Sequence, residues 1–188
     1  MSLMKTTPPL RILLLENDTS VQGALDEFLR GRGHNVVSLQ SGVMAIRRIR
    51  EDVEIFDLVL LNLALPDAME VLHVARQRSS ETQVVTMPGF AGLDAAIESM
   101  LQGAFDYVIK PFKFTQVAIV LNKVIERKKL VEENAKLSER VQSLYNRLDQ
   151  LKDNRDRLEK FARELFEKLD YHTEMLEECV SRLRKEDV

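Results

Sequence analysis

Three short apolar runs of this chain end in polar side chains that could do chemistry together. One run ends in Glu16 and Asn17, a second ends in Asn62, and a third ends in Lys110. A carboxylate can bind a hard cation and an ammonium can contact a phosphate, whereas an amide is uncharged and a poor nucleophile. If these runs are parallel strands, their carboxyl ends open into one crevice, where α/β proteins build their sites.

The apolar runs alternate with segments of helical spacing, and this alternation predicts an α/β domain. Strands are predicted at residues 11–15, 35–39, 56–63, 83–87 and 105–109. The segments between them place apolar residues on one helical face, and Asp18, Thr19 or Ser20 can cap the first of these helices. Strands and helices at this pace predict a doubly wound, five-stranded parallel sheet with helices on both faces.

The chain changes character at Phe114, from which point it contains no Gly and no Pro. A helix that begins there is therefore predicted to continue to the end. Two series of mostly apolar residues recur every seven positions, at the alternating steps of three and four that form the seam of a coiled coil. The seam consists of Leu130, Asn134, Leu137, Val141, Leu144, Leu148, Leu151, Leu158, Leu165, Leu169 and Leu176.

Leucine at the d positions of this seam, with Asn134 at an a position, favours a parallel two-stranded coil. A single helix could not bury the stripe, so the sequence predicts a homodimer. An antiparallel hairpin within one chain is the alternative, and the absence of turn residues argues against it. Arg155, His172 and Cys179 are the weak positions of the seam.

The composition disfavours several classes of protein. The 188 residues are 45% hydrophobic and 30% charged, the net charge is −3, and there is one cysteine. This charge offers no general attraction to nucleic acid or anionic lipid, and glutamates interleave the basic cluster at residues 123–129. No run has the length of a membrane span, and no signal peptide is recognisable. We expect a cytoplasmic protein without an intrachain disulfide, a membrane contact or a nucleic-acid partner.

Three segments, Arg11 to Asp18, Asp57 to Asp67 and Gly103 to Phe112, resemble the receiver domain of two-component response regulators. The last is the most specific, because it places an aromatic residue three positions before Lys110-Pro111. The resemblance covers residues 10–127, leaving a lead-in at 1–9 and a coiled coil at 128–188. It implies a flavodoxin-like strand order. It also implies a cis bond before Pro111 and a role for Tyr107 as the switch aromatic.

The resemblance further implies phosphoryl transfer from a partner histidine kinase to an aspartate at the end of the third strand. Acidic residues there hold Mg²⁺, and a lysine contacts the phosphoryl group. In this chain the phosphoacceptor position is Asn62, and the acidic pair reads Glu16-Asn17. One carboxylate and two neutral amides attract a divalent cation weakly, so no cofactor is expected. A residual Mg²⁺ site would have to use these three residues.

The hydroxyl residue of the family's fourth strand also lacks a clear match. An alignment without gaps places that position on Pro88, which has neither a hydroxyl nor a backbone N–H. Thr86 would occupy the position only with a two-residue insertion in the following loop, so the gapless alignment is preferred. Lys110 is then expected to pair with Glu16 or to hydrogen-bond Asn62, which would make the pocket a satisfied polar cluster.

Two hypotheses for function follow from these departures. In the first, the chain is a non-enzymatic pseudo-receiver that works without phosphorylation as a protein-interaction and dimerisation module. In the second, it is a phospho-accepting regulator whose aspartate at position 62 was replaced by Asn, with an output domain beyond Val188.

His34, in the loop before the second strand, is expected to be exposed to solvent.

Overall fold

A computed structural model describes residues 8–90 and 92–186, with side chains up to Arg182. Most of the predicted lead-in at 1–9 therefore lies outside the described residues. The chain divides into two compact units, with Glu132 as the last residue of the first unit and Glu133 as the first residue of the second. Each unit is described separately below.

Ten elements alternate along the described residues. In order they are β1 (Arg11–Leu15), α1 (Thr19–Gly31), β2 (Asn35–Leu39), α2 (Gly42–Glu51), β3 (Leu58–Asn62), α3 (Ala68–Arg78), β4 (Gln83–Met87), α4 (Leu93–Leu101), β5 (Asp106–Tyr107) and α5 (Phe114–Glu186). The strands form one parallel sheet with the order β2-β1-β3-β4-β5. This order confirms the predicted flavodoxin-like, doubly wound fold.

Alternation of side chains along the buried strands builds a core on each face of the sheet. Ile12 and Leu14 of β1 pack into one cluster with residues of α1 and α5. Leu13 and Leu15 pack into the other cluster with residues of α2 and α3. Because the sheet is covered on both faces, the polar ends of its strands are the places left for a site.

Two strands are shorter than the sequence predicts. β3 begins at Leu58 rather than at residue 56, and β5 contains only Asp106 and Tyr107 instead of residues 105–109. β5 pairs with β4 at only two positions, Asp106 opposite Val85 and Tyr107 opposite Thr86. The hydrogen bonds continue beyond its bounds, since Val108 N donates to Thr86 O over 2.8 Å.

The part of α5 that belongs to the first unit is fixed to the amino end of the sheet by an ion pair. Lys128 Nζ lies 2.6 Å from Asp57 Oδ1, and the other oxygen of Asp57 accepts from Arg11 N over 2.8 Å. Lys123 also pairs, with Asp106 Oδ2 at 2.7 Å. Both lysines are thus paired with aspartates of the first unit.

The prediction that His34 is exposed is wrong. Its exposed fraction is 5%, and its Nδ1 accepts a hydrogen bond from Leu10 N over 3.2 Å. Gly33, with a φ of +86°, turns the chain so that the imidazole covers the start of β1. Burial lowers the pKa of His34, and the nearby Arg32 lowers it further, while Asp57 opposes the shift.

The burial of His34 predicts a loss of stability in weak acid. Nδ1 must be unprotonated to accept from Leu10, so the folded state disfavours the proton that the unfolded chain binds below about pH 6.5. Stability is therefore full above that pH and is lost progressively as the pH falls from about 6.5 towards the lowered pKa of the folded state. We expect His34→Asn, whose amide oxygen can replace Nδ1, to lose less stability between pH 7.5 and 5.5. Equal losses in urea denaturation of the two proteins would contradict this.

In the second unit, α5 continues without interruption to Glu186, so the described residues contain no helical hairpin. Every side chain described from Glu133 to Arg182 is exposed in the single chain. The seam leucines are exposed to between 51%, at Leu165, and 68%, at Leu158. Among the described residues, no helix is long and apolar enough to cross a membrane.

Candidate functional site

The strand order brings four of the predicted polar residues to one end of the sheet. β1 and β3 are adjacent and parallel, so Glu16 and Asn17, after β1, meet Asn62, the last residue of β3. Lys110 reaches the same place from the loop after β5. Glu16 is fully buried and Asn62 is 3% exposed.

Asn62 uses all of its hydrogen-bonding groups inside this cluster. Its Nδ2 donates to Glu16 Oε1 over 2.9 Å and to Asn17 Oδ1 over 2.8 Å. Its Oδ1 accepts from Ala64 N over 3.0 Å. The amide therefore links the ends of β1 and β3, and both hydrogens of its NH₂ group are occupied by neighbours.

The charge of Glu16 is balanced by the chain itself. Its Oε2 forms an ion pair with Lys110 Nζ, one of the two partners expected for this lysine. Its Oε1 accepts from Asp18 N over 3.1 Å in addition to Asn62. Burial of a carboxylate is tolerated when it is paired and hydrogen-bonded in this way. No buried side-chain polar atom of the described residues lacks a partner.

Asp18, next to the cluster, is the cap of α1. Its Oδ1 accepts from Ser20 N over 2.9 Å and from Val21 N over 3.1 Å, and Ser20 Oγ donates to it over 2.6 Å. The Ser20 hydroxyl is the main cause of a lowered pKa of Asp18, followed by the N–H groups of Val21 and Ser20. Of the three caps that the sequence allowed, Asp18 is the one used.

Thr86 lies inside β4, opposite Leu61 of β3, and is fully buried. Its Oγ1 is 3.1 Å from Ser99 Oγ, which in turn donates to Ala96 O over 2.7 Å. The hydroxyl therefore joins β4 to α4. Pro88 follows the last residue of β4, and its carbonyl accepts from Lys110 N over 2.8 Å. The contact between Thr86 and Ser99 was not foreseen, and no sequence signal identifies it.

The Lys110-Pro111 peptide bond is cis. Tyr107, in β5, is 38% exposed.

Beside the polar cluster, a groove of about 470 Å³ separates α1 from the loops after β4 and β5. Its apolar lining includes Val21, Ala24, Phe90, Pro111, Phe112 and Phe114. Periodicity alone could not reveal this groove, because its walls come from distant parts of the chain.

The residues at the strand ends do not fit a divalent cation. A residual Mg²⁺ site would have to use Glu16, Asn17 and Asn62, and Glu16 is the only carboxylate among these three residues. The Lys110 ammonium already pairs with it. The amides of Asn17 and Asn62 offer neutral oxygens, and both of these oxygens accept hydrogen bonds. Within the described parts of the chain, no group of three or more His, Cys, Asp and Glu side chains could hold a metal ion.

A parallel sheet of this order, with Lys110 and a cis Pro111 beside the ends of β1 and β3, defines a flavodoxin-like domain of the receiver type. The model of the response regulator receiver domain matches residues 12–122. The chain therefore belongs to the response regulator receiver family, which confirms the resemblance and places the domain in two-component signalling. Intact members of this family use Mg²⁺.

Individual relatives agree with this assignment. The transcriptional regulatory protein ZraR of Klebsiella oxytoca is 32% identical over 123 residues, which is 64% of this chain and 27% of ZraR. The response regulator protein FleR of Pseudomonas aeruginosa is 33% identical over 105 residues, which is 55% of this chain and 22% of FleR. The chain thus spans about a quarter of the length of these curated relatives.

Solved structures show the same fold. A response regulator receiver domain protein from Clostridium thermocellum has a TM-score of 0.60 and 27% identity, over 64% of this chain and 97% of the other. NtrX from Brucella abortus, in complex with ADP, has a TM-score of 0.62 and 24% identity, over 69% of this chain and 29% of the other. Because its identity to this chain is only 24%, the NtrX structure supports the fold alone.

Proposed function

We propose that this chain is a pseudo-receiver that works in two-component signalling without being phosphorylated. Its role is that of a non-enzymatic protein-interaction and dimerisation module. The observation that carries the proposal is the saturated cluster at the phosphoacceptor position. There Asn62 donates to Glu16 and Asn17, and Glu16 is paired with Lys110.

The chemistry of phosphoryl transfer has lost its main components in this cluster. Asn62 is not a carboxylate nucleophile, so it cannot form an acyl phosphate. The cation that would neutralise an incoming phosphoryl group finds one carboxylate, which already has a counterion. Pro88 provides neither a hydroxyl nor an N–H for the phosphoryl oxygens.

The exposed seam of the second unit supports dimerisation through a parallel coiled coil. A monomer would leave a leucine stripe in water over much of residues 130–176, and an equivalent helix is the partner that fits the heptad pattern.

Cys179 continues the d series, so in a parallel dimer it faces the Cys179 of its mate. Mild oxidation is therefore expected to give a disulfide-linked dimer.

The face formed by α4 and β5 supports docking of a signalling partner, such as a histidine kinase or a downstream protein. It exposes apolar side chains that the domain leaves uncovered, namely Leu93, Ile97, Leu101 and Tyr107. Nucleic acid is disfavoured as the partner, because Lys123 and Lys128 are paired with aspartates and the net charge is acidic. A cytoplasmic location is part of the same proposal.

A second candidate is a phospho-accepting regulator altered at position 62, with an output domain elsewhere in the protein. Lys110, the cis Pro111 and Tyr107 remain in place as in the family pattern, which favours this candidate. The two candidates differ in what a single substitution can restore. Under the second, Asn62→Asp alone recovers phosphorylation, whereas under the first it does not.

Intact-mass measurement after incubation with acetyl phosphate and Mg²⁺ separates the two. We expect no phosphoryl adduct on the unaltered chain or on Asn62→Asp. The triple variant Asn17→Asp, Asn62→Asp, Pro88→Thr restores the acidic pair, the nucleophile and the hydroxyl, so we expect it to form the phosphoryl adduct that the single variant does not form. An intact receiver domain serves as the positive control. An adduct on Asn62→Asp comparable to that of the triple variant would overturn the pseudo-receiver proposal.

A further inference from the structure

The coiled-coil helix does not have the same face throughout its length. In a two-stranded coil, the e and g positions beside the seam carry charged or polar residues. Between residues 131 and 154 most of the e and g positions carry charged or polar residues. Between residues 159 and 182 half of them carry apolar residues. The apolar residues at e and g in that second segment are Phe161, Phe166, Met175 and Val180.

The seam itself weakens where the flanks become apolar. The a and d positions of this segment include Ala162, His172 and Cys179, and Arg155 occupies the a position just before it; these residues pack poorly in a two-stranded coil. The apolar face is therefore broader than the seam and is displaced onto its flanks. A face of a and d positions widened by e and g is the pattern of helices in the core of a bundle, where each helix touches more than one neighbour.

We propose that two dimers of this chain associate through the segment 158–180 to form a four-helix bundle. The proposal rests on the coiled-coil dimer of the proposed function and adds a second interface to it. Phe161 is 59% exposed and Phe166 is 68% exposed in the single helix, and in a two-stranded coil both would remain at the rim.

The surface available is sufficient for a specific interface. Four helices contribute two of these phenylalanines each, and burying their exposed parts removes on the order of 1,000 Å² from water. That is about the area that a specific association requires, before Met175 and Val180 are counted.

The charge pattern favours an antiparallel arrangement of the two dimers. Residues 169–181 contain four acidic residues and no Lys or Arg, whereas residues 152–168 contain six basic and five acidic residues. Parallel packing would place the acidic segments of all four helices side by side. Antiparallel packing centred near Phe166 places each acidic segment beside the mixed segment of the other dimer, which reduces the repulsion.

Light scattering coupled to size-exclusion chromatography tests the stoichiometry of the full chain. We expect a mass of four chains of 21.6 kDa. The double variant Phe161→Gln, Phe166→Gln is expected to give a dimer of unchanged helicity by circular dichroism. Tyr145→Gln, at an e position of the first half, is the matched control and should leave the tetramer intact.

The possible failures are distinguishable. A monomeric unaltered chain would contradict the coiled-coil dimer and with it the proposed function. A dimeric unaltered chain, or a tetramer insensitive to the double variant, would overturn only the present inference. Spin labels on Ser181→Cys in a Cys179→Ser background report the arrangement. Antiparallel dimers give, besides the short distance within each dimer, a second distance on the order of 40 Å along the axis, which a parallel tetramer lacks.

Discussion

Replacing Lys110 by methionine is expected to lower the free energy of unfolding of the first unit by about 3 kcal/mol. Glu16 is fully buried, and Lys110 is its only ionic partner among the described ion pairs. Methionine keeps most of the aliphatic stem and removes the ammonium, so the carboxylate is left without a counterion. Breaking a pair from one side costs more than removing both charges, because the uncompensated charge stays buried.

A double-mutant cycle separates this cost from changes in packing. In Glu16→Gln, Lys110→Met both charges are gone, and the new amide oxygen can still accept from Asn62 and from Asp18 N. We expect the double variant to recover most of the stability that Lys110→Met loses. Arg47→Met, which breaks the exposed pair of Arg47 with Glu51, is the control and should change stability little.

Hydrogen exchange of β1 and β3 peptides is the suitable measurement, since it reports the first unit without interference from the long helix of the second. Protection of these strands should fall in Lys110→Met and return in the double variant. A loss no larger than that of Arg47→Met would show that the ion pair does not hold the cluster together.

The second large effect is expected for Asn62→Asp. The substitution removes the two hydrogen bonds that Nδ2 donates and places a carboxylate where the amide now lies 2.9 Å from Glu16 Oε1. Two carboxylates would then share the single ammonium of Lys110. Like charges at this distance in a buried site repel strongly, so we expect the free energy of unfolding to fall by about 2 kcal/mol or more in the absence of divalent cations.

Magnesium distinguishes repulsion from a packing defect. Mg²⁺ at millimolar concentration is expected to restore part of the stability of Asn62→Asp and more of that of Asn17→Asp, Asn62→Asp, because added carboxylates strengthen its binding. The unaltered chain should not respond to Mg²⁺. Asn146→Asp, at an exposed position of α5, controls for the change of one charge. Thermal unfolding with and without Mg²⁺ measures these differences, and a destabilisation of Asn62→Asp that ignores Mg²⁺ would refute the electrostatic explanation.

The sequence predicted most of the sheet because buried parallel strands are short apolar runs between helical segments. β1, β2 and β4 lie where the runs predicted them. The bounds of β5 were less accurate because only two of its residues pair with β4, and pairing rather than composition determines where a strand ends.

The candidate site was predictable in its members but not in its bonds. Asn62, Glu16 and Lys110 could be placed together because each lies at or after the carboxyl end of a strand of one parallel sheet. Which atoms of Asn62 face Asn17 depends on the loop geometry, which a pattern of residue types does not contain. The burial of His34 was missed for the same reason, since only the turn at Gly33 brings its ring over Leu10.

Lys110 gives the Glu16 carboxylate a counterion that is part of the polypeptide. A receiver domain that binds a cation from solution and accepts a phosphoryl group from a donor can be switched by two external inputs. Under the proposed function this chain depends on neither, so its own abundance is the variable that remains. Because assembly through a coiled coil follows mass action, the number of copies in the cell sets the assembled fraction. Synthesis and proteolysis, rather than kinases and phosphatases, are then the processes that would control its output.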